Sequence, residues 1–296
     1  MNALLLVIST LMSTGKAVFC KAVGAGGKTK KERALLNFES LFVAFLCSLL
    51  FIIRDLRGLF EISGFSFILS IFFGLSVAFT QIMQSKAMGG GPSSTVTLIY
   101  SSGFLIPIFY GLIFWSESVS IFQWVGITLL VCSLILCVAK KEKRRKLSAW
   151  LPFALLAMLG SGANAIFQKT HQHSEFSSEI SYYLVCCLFF STLFTSLTYL
   201  FTKMDTAEEK RSTEKRGIFR KLILPLSLGI CIGALNFLNL YLSGKLPSVI
   251  LFPIYNVGSM LLISLICALV YKEKMSVFQK IGFAVGIVAI LIIGLL

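Results

Sequence analysis

One stretch of this 296-residue chain occurs twice, and that duplication restricts its possible folds more than any other feature. Shifted by 155 residues, Gly74 falls on Gly229, Gly89 on Gly244, Pro92 on Pro247 and Ser93 on Ser248. The same shift pairs Ile99 with Ile254, Tyr100 with Tyr255 and Gly103 with Gly258. One inserted residue makes the offset 156, and Glu117 then pairs with Glu273, Phe122 with Phe278, Gln123 with Gln279 and Gly126 with Gly282. Apolar stretches share hydrophobicity by chance, whereas shared Gly, Pro, Tyr and Glu at fixed spacing mark a repeated structural unit. Upstream, Gly15 pairs with Gly162 at offset 147, then Phe19 with Phe167 and Lys21 with Lys169 at 148. The second helix of each unit gives no convincing alignment.

Composition decides the solvent. With 56% hydrophobic residues, 14% charged and a mean hydropathy of +0.87, most of the chain is suited to lipid rather than water. Met1–Cys20 lacks the basic start and small-residue cleavage site of a signal peptide, so it is expected to remain as a helix. All eight Cys (20, 47, 132, 137, 186, 187, 231 and 267) lie within or at the ends of apolar runs, without zinc-like spacing, and read as packing residues. The net charge of +14 sits in loops, where membrane topology accounts for it better than nucleic acid does.

A bilayer core of ~30 Å needs about 20 apolar residues per helix. Ten spans meet that need, near 2–20, 34–53, 66–87, 93–114, 121–139, 149–168, 180–201, 222–242, 248–271 and 277–296. The expected fold class is an all-α integral membrane protein with ten transmembrane helices, arranged as two inverted five-helix repeats around a central cavity. The first repeat covers 1–139, a basic linker 140–148, and the second repeat 149–296. Five is odd, so the halves enter the membrane with opposite orientation, the arrangement typical of secondary transporters with a site at the repeat interface. The mixed-charge segment Thr202–Lys221 is long enough for a solvated amphipathic helix.

Loop charge sets the expected orientation. Loops after helices 1, 3, 5, 7 and 9 carry 21 Lys/Arg when Lys86 at the end of helix 3 is counted with them, and those after helices 2, 4, 6 and 8 carry four (Arg54, Arg57, Lys169, Lys245). The positive-inside rule then puts the first group in the cytoplasm and both termini outside a plasma (inner) membrane.

Two motif pairs carry a family resemblance: Gly91-Pro92-Ser93-Ser94 with Trp115-Ser116-Glu117, and Leu246-Pro247-Ser248 with Lys272-Glu273-Lys274. In both halves a proline opens the fourth helix and a glutamate precedes the fifth. The chain thereby resembles the drug/metabolite transporter superfamily, in particular its EamA-like ten-helix branch, over nearly its whole length. The resemblance implies a cavity framed by helices 1, 3, 4, 6, 8 and 9, alternating access by rocking of the repeats, and a small organic cargo. It also implies cytoplasmic termini, which the loop charge opposes. The charge bias is the stronger of the two.

Polar side chains inside spans are costly unless they face the bundle interior or a wet cavity. Gln81 and Gln84 share a face of helix 3, and the repeat maps them onto Asn236 and Asn239 of helix 8, so the four are candidate cavity walls. Interhelical glue is the structural alternative. Tyr100-Ser101 and Tyr255-Asn256 form a second repeat-related set near Pro107 and Pro253, able to stack on or hydrogen-bond a ligand. Thr14 and Lys16 of helix 1, with Asn164 and Gln168 of helix 6, form a third; Lys16 can counter a carboxylate or snorkel to the interface. Glu39 is the acidic residue expected within a span, as a coupling carboxylate or as the partner of Arg33. Helix 1 has no Glu, although four-helix relatives of the resembled superfamily keep their coupling carboxylate there. Glu117 and Glu273 are expected to favour the N-termini of helices 5 and 10, with Ser120 and Ser276 as caps. His171 and His173 are expected at the surface.

The leading expectation is a secondary transporter, an exporter by preference, of an amino acid or an amphipathic drug-like compound. Rival readings are a lipid or lipid-linked-sugar flippase and a non-transporting scaffold subunit. No catalytic constellation, metal motif or cofactor-binding loop is legible, so neither enzyme chemistry nor a cofactor is expected. Expected partners are a small-molecule substrate, the lipid bilayer and, as one assembly open to such a bundle, a second copy in a homodimer, but not nucleic acid. Cysteines placed at positions 30 and 212 should react with an impermeant reagent from the cytoplasmic side; labelling from outside only would reverse the orientation.

Overall fold

Every regular element in the computed structural model is helical, with no strand among the described residues. Those residues are 2–26, 29–53, 57–59, 61–91, 93–138, 149–202, 217–270 and 277–295. The basic linker 140–148, most of the mixed-charge segment including position 212, and the Lys272-Glu273-Lys274 motif with Ser276 lie outside them.

In chain order the helices are α1 (Asn2–Gly26), α2 (Lys30–Leu49), α3 (Gly64–Gly90), α4 (Ser93–Ser101), α5 (Leu105–Phe114) and α6 (Ile121–Val138). There follow α7 (Leu151–Gln172), α8 (Ile180–Phe201), α9 (Leu224–Ser243), α10 (Ser248–Val270) and α11 (Val277–Leu295). Six helical segments are long and apolar enough to cross a membrane: Asn2–Gly24, Gly64–Gly90, Thr95–Phe114, Leu151–Gln172, Ser177–Phe201 and Phe219–Ser243. Shorter apolar helices cover Ile121–Ser133, Ser248–Ile263 and Lys280–Ile293. Helix α2 departs from the expected span 34–53 because its first turn consists of Lys30, Lys31, Glu32 and Arg33. Thr29 caps it, accepting from the Glu32 N–H at 3.0 Å, so the helix starts four residues early.

Two other expected boundaries move. The expected fourth span splits: a 3₁₀ turn at Ser102–Phe104 separates α4 from α5. The break lies where the ring of Pro107 would meet the Gly103 carbonyl of a continuous helix. Helix α7 continues past 168 to Gln172, which carries His171 indoors.

The distribution of polarity is inverted relative to a water-soluble bundle. Large apolar side chains such as Leu4, Phe72, Ile113, Leu200 and Leu291 are exposed, whereas Ser9, Ser13, Asn37, Ser40, Gln81, Gln84, Ser191 and Asn239 are buried. A belt of exposed apolar side chains on this scale is a surface made to be covered. Three clusters fill the interior, the smallest of them around Cys20, Ala87, Met88, Val96 and Ala154; one joins α1, α5, α6, α9, α10 and α11 through Leu6, Ile108, Leu130, Phe252 and Leu261. Another joins α2, α3, α8 and α9 through Leu41, Phe73, Tyr183 and Leu228.

Helices of the two halves cross at close range. Helix α1 lies against α9 and α10, α7 against α3, α4 and α5, α2 against α9, α8 against α3, and α6 against α11. Glycines equated by the sequence offset sit at matching crossings. A Cβ on Gly74 would stand 2.5 Å from the Cys187 carbonyl of α8, and one on Gly229 2.5 Å from the Ser40 carbonyl of α2. A Cβ on Gly103 would lie 2.6 Å from Met158 O of α7, and one on Gly258 3.0 Å from Thr10 of α1. Gly74→Ala and Gly229→Ala should therefore each lower stability by about 1–3 kcal/mol through overpacking. Gly64→Ala, which meets nothing within 4 Å, should be neutral in the same thermal-unfolding measurement in detergent.

Candidate functional site

A small, partly open cavity lies between the halves. Of the residues singled out in the sequence, its wall contains Lys16, Gln81, Tyr100, Asn164, Gln168, Asn236, Asn239 and Tyr255, joined by Ser161 and the apolar Val77, Ile232 and Leu235. These come from α1, α3, α4, α7, α9 and α10, so both halves contribute.

Most wall carboxamides are held by protein. Gln168 donates to Asn236 Oδ1 at 3.2 Å, and Asn236 donates in turn to the Ile232 carbonyl at 2.9 Å. The Ser9 hydroxyl donates to Asn239 Oδ1. Gln81 donates to Asn37 Oδ1 at 3.3 Å, and Asn37 donates to Ser85 at 2.9 Å. Asn164 donates to Thr80 at 3.3 Å. Two amide oxygens of the wall remain without a hydrogen-bond partner, Gln81 Oε1 and Asn164 Oδ1. Lys16 donates to the Tyr100 hydroxyl at 3.2 Å and lies 5.2 Å from that ring's centre. Snorkelling is therefore not its arrangement.

The remaining candidates are placed elsewhere. Gln84 is buried with an unpartnered Oε1 but is not among the wall residues. Thr14 donates back to the Thr10 carbonyl at 2.8 Å. Ser101 donates to the Asn256 carbonyl at 3.2 Å and Asn256 to the Phe252 carbonyl at 3.0 Å, which stitches α4 to α10. Glu39 is half-buried on α2 and off the wall; the fully buried acid of that helix is Glu32, 3.7 Å from Arg220. Asn37, Ser9 and Thr80 brace the wall and were missed in the sequence. Asn37 is a carboxamide inside a predicted span, so the cost of burying polar groups pointed to it as well.

Glu117 behaves differently from its expected role. Ser120 does cap α6, in a reciprocal box in which Gln123 N donates to Ser120 Oγ at 3.2 Å and Ser120 N to Gln123 Oε1 at 3.1 Å. That box leaves Glu117 available, and its carboxylate crosses to the other half. It pairs with Lys169 at 2.7 Å and accepts from Ser248 N, the start of α10, at 2.9 Å. The turn that aims it uses Ser116 at φ 51, with Trp115 and Glu117 both donating to the Gly111 carbonyl. A Cβ on Gly111 would stand 2.7 Å from the carboxylate, so a side chain there would displace Glu117 from its partners. Lys169, only 3% exposed, also donates to the Leu246 carbonyl at 2.8 Å.

Beside this latch Glu179 does for α3 what Glu117 does for α10, accepting from Ser63 N at 3.1 Å and Ser63 Oγ at 2.8 Å. Two carboxylates thus neutralise helix N-termini of the opposite half, where the dipole favours a negative charge. Of the two histidines expected at the surface, His173 is exposed and His171 is not. His171 is fully buried, stacked on Tyr183 with centroids 3.9 Å apart, and Ser66 Oγ lies 3.3 Å from its Nε2. His173 stacks on Trp115, and burial together with the Lys169 charge pushes its imidazole below the usual range. No His/Cys/Asp/Glu group suited to a metal occurs among the described residues.

Removing one partner of a buried ion pair strands the other's charge, at about 3–5 kcal/mol. Glu117→Gln and Lys169→Met should each lower stability by that order, read as a lowered unfolding midpoint. The double variant Glu117→Met/Lys169→Met should recover part of the loss, because no uncompensated charge remains.

No family model matches the sequence, and no curated protein matches it. Twenty-eight chains of solved structures match the fold. One, described as "Crystal structure of protein", superposes with a TM-score of 0.68 over 98% of this chain and 97% of its own, at 10% identity. At that identity the similarity speaks for the helical architecture alone.

Proposed function

We propose that the protein is a secondary transporter of a small organic metabolite, built as an inverted repeat of the drug/metabolite transporter kind. The observation that carries this reading is the cavity whose wall is shared between the halves: Lys16, Gln81 and Tyr100 from the first, Asn164, Gln168, Asn236, Asn239 and Tyr255 from the second. Two buried amide oxygens of that wall, Gln81 Oε1 and Asn164 Oδ1, have no partner in the protein, a cost that the donors of a ligand would offset. The matching crossings at Gly74 and Gly229, and at Gly103 and Gly258, support the repeat.

The latch fits the mechanism. Glu117, Lys169, Glu179 and Ser63 hold the halves together where α5 and α7 finish and α3, α8 and α10 begin. Alternating access requires those bonds to break while the cavity opens to that face, and to form while it opens to the other. Away from that end, α1 is tied to the second half by Ser9 with Asn239 and Ser13 with Ser259 at 3.1 Å. In this scheme the cargo is an amino acid or a comparable amphipathic compound, and the preferred direction is export.

Reconstituted proteoliposomes loaded with a labelled amino-acid mixture provide the test. The wild type should release label faster than empty liposomes, and Asn164→Leu or Asn236→Leu should reduce flux at least about tenfold with folded yield kept, since each removes wall hydrogen bonds worth about 1–1.5 kcal/mol apiece. Unaltered flux in both variants would show that solute does not pass through this cavity.

A further inference from the structure

The cavity's electrostatics are one-sided. Lys16 is the charged residue in its wall, and no Asp or Glu is found there among the described residues. A lysine ammonium offers three donors. Tyr100 takes one of Lys16's at 3.2 Å, and the Tyr100 hydroxyl, accepting there, keeps its own proton to donate. Lys16 and Tyr100 together therefore present unspent donors and a positive charge to whatever occupies the cavity.

The acceptors have a different address. Asn236 Oδ1 and Asn239 Oδ1 are satisfied by Gln168 and Ser9. Gln81 Oε1 and Asn164 Oδ1 are buried and have no partner, and Gln81 is only 1% exposed. Leaving a buried amide oxygen unpaired costs about 1–3 kcal/mol, so these two oxygens point to donors that arrive with a ligand. Val77, Ile232 and Leu235 supply the apolar remainder of the wall.

Resting on the transporter reading above, we propose that the cavity selects a small organic carboxylate, anionic or zwitterionic, that also carries hydrogen-bond donors, its carboxylate held by Lys16 and Tyr100 and its donors by Gln81 and Asn164. The same arrangement rejects cationic drug-like compounds, because a second positive charge beside Lys16 would be desolvated without a counter-ion. A hydroxy acid or amino acid meets the requirement, and its carboxamide does not.

Thermal unfolding of the detergent-purified protein, with L-leucine, L-phenylalanine, L-threonine and L-lactate each set beside its carboxamide, and with quaternary amines and cationic dyes alongside, tests this. A ligand bound only by the native state raises the midpoint by mass action. At least one acid should raise it while its amide does not. Lys16→Met should weaken that acid's binding roughly 10- to 100-fold, as expected for loss of a charge-assisted contact, and Lys16→Arg should keep most of it. Amides acting as well as acids, or an acid response that survives Lys16→Met, would overturn the assignment. A response confined to quaternary amines or cationic dyes would also overturn it, yet leave the transporter reading intact. Silence across the whole panel would count against both. Should Lys16→Met fail to fold, the acid-against-amide comparison on the wild type decides alone.

Discussion

Close approach of helix backbones is the constraint on which the rest depends. Helices that are apolar outside gain little from burying more apolar surface against one another when their surroundings are apolar too, so packing contact and hydrogen bonds must hold them. Gly74 and Gly229 let α3 touch α8 and α9 touch α2 backbone to backbone, and Gly103 lets the α4–α5 break lie on α7. Once these pairs are in contact, their hydroxyls reach across: Ser191 to the Gly74 carbonyl at 2.9 Å, and Ser133 to the Gly282 carbonyl at 2.6 Å. Filling any of these sites with a methyl would separate helices that also carry the cavity wall.

With the outer pairs so tightly packed, the space left between the halves is polar because its polar residues have nowhere else to go. The bracing is layered. Asn37 and Ser85 hold Gln81, Thr80 holds Asn164, and Ser9 holds Asn239, so the wall geometry depends on side chains that never reach the cavity. At one end of the bundle Glu117 and Glu179 each span the halves, and charge replaces glycine as the means of contact there. An ionic contact of this kind is easier to break and remake than a packed crossing, since water can substitute for it. This suits the end that must open in the proposed cycle.

Much of this was legible in one sequence, for identifiable reasons. The offset of 155 equated Gly74 with Gly229 and Gln81 with Asn236, and both pairs occupy related places in the structure, because a duplicated unit keeps the residues that its crossings require. The cost of polar groups in apolar helices selected Lys16, Gln81, Asn164, Gln168, Asn236 and Asn239, all of which face the cavity. The same rule also selected Gln84, Thr14 and Asn256. It measures burial and cannot distinguish a wall from a strut, since helix rotation of one residue, about 100°, separates the two.

The sequence by itself determined an all-helical chain with membrane-length apolar segments and a set of interior polar residues. These follow from composition and periodicity, which each residue carries locally. Only the tertiary structure decided that Glu117 serves α10 and Lys169 rather than its own α6, that His171 stacks indoors on Tyr183, and that Lys16 turns to Tyr100 instead of the interface. Each of those outcomes is a choice among partners far apart in the chain. The partner that wins is set by which helix ends the glycine crossings bring within about 3 Å, the range of a hydrogen bond.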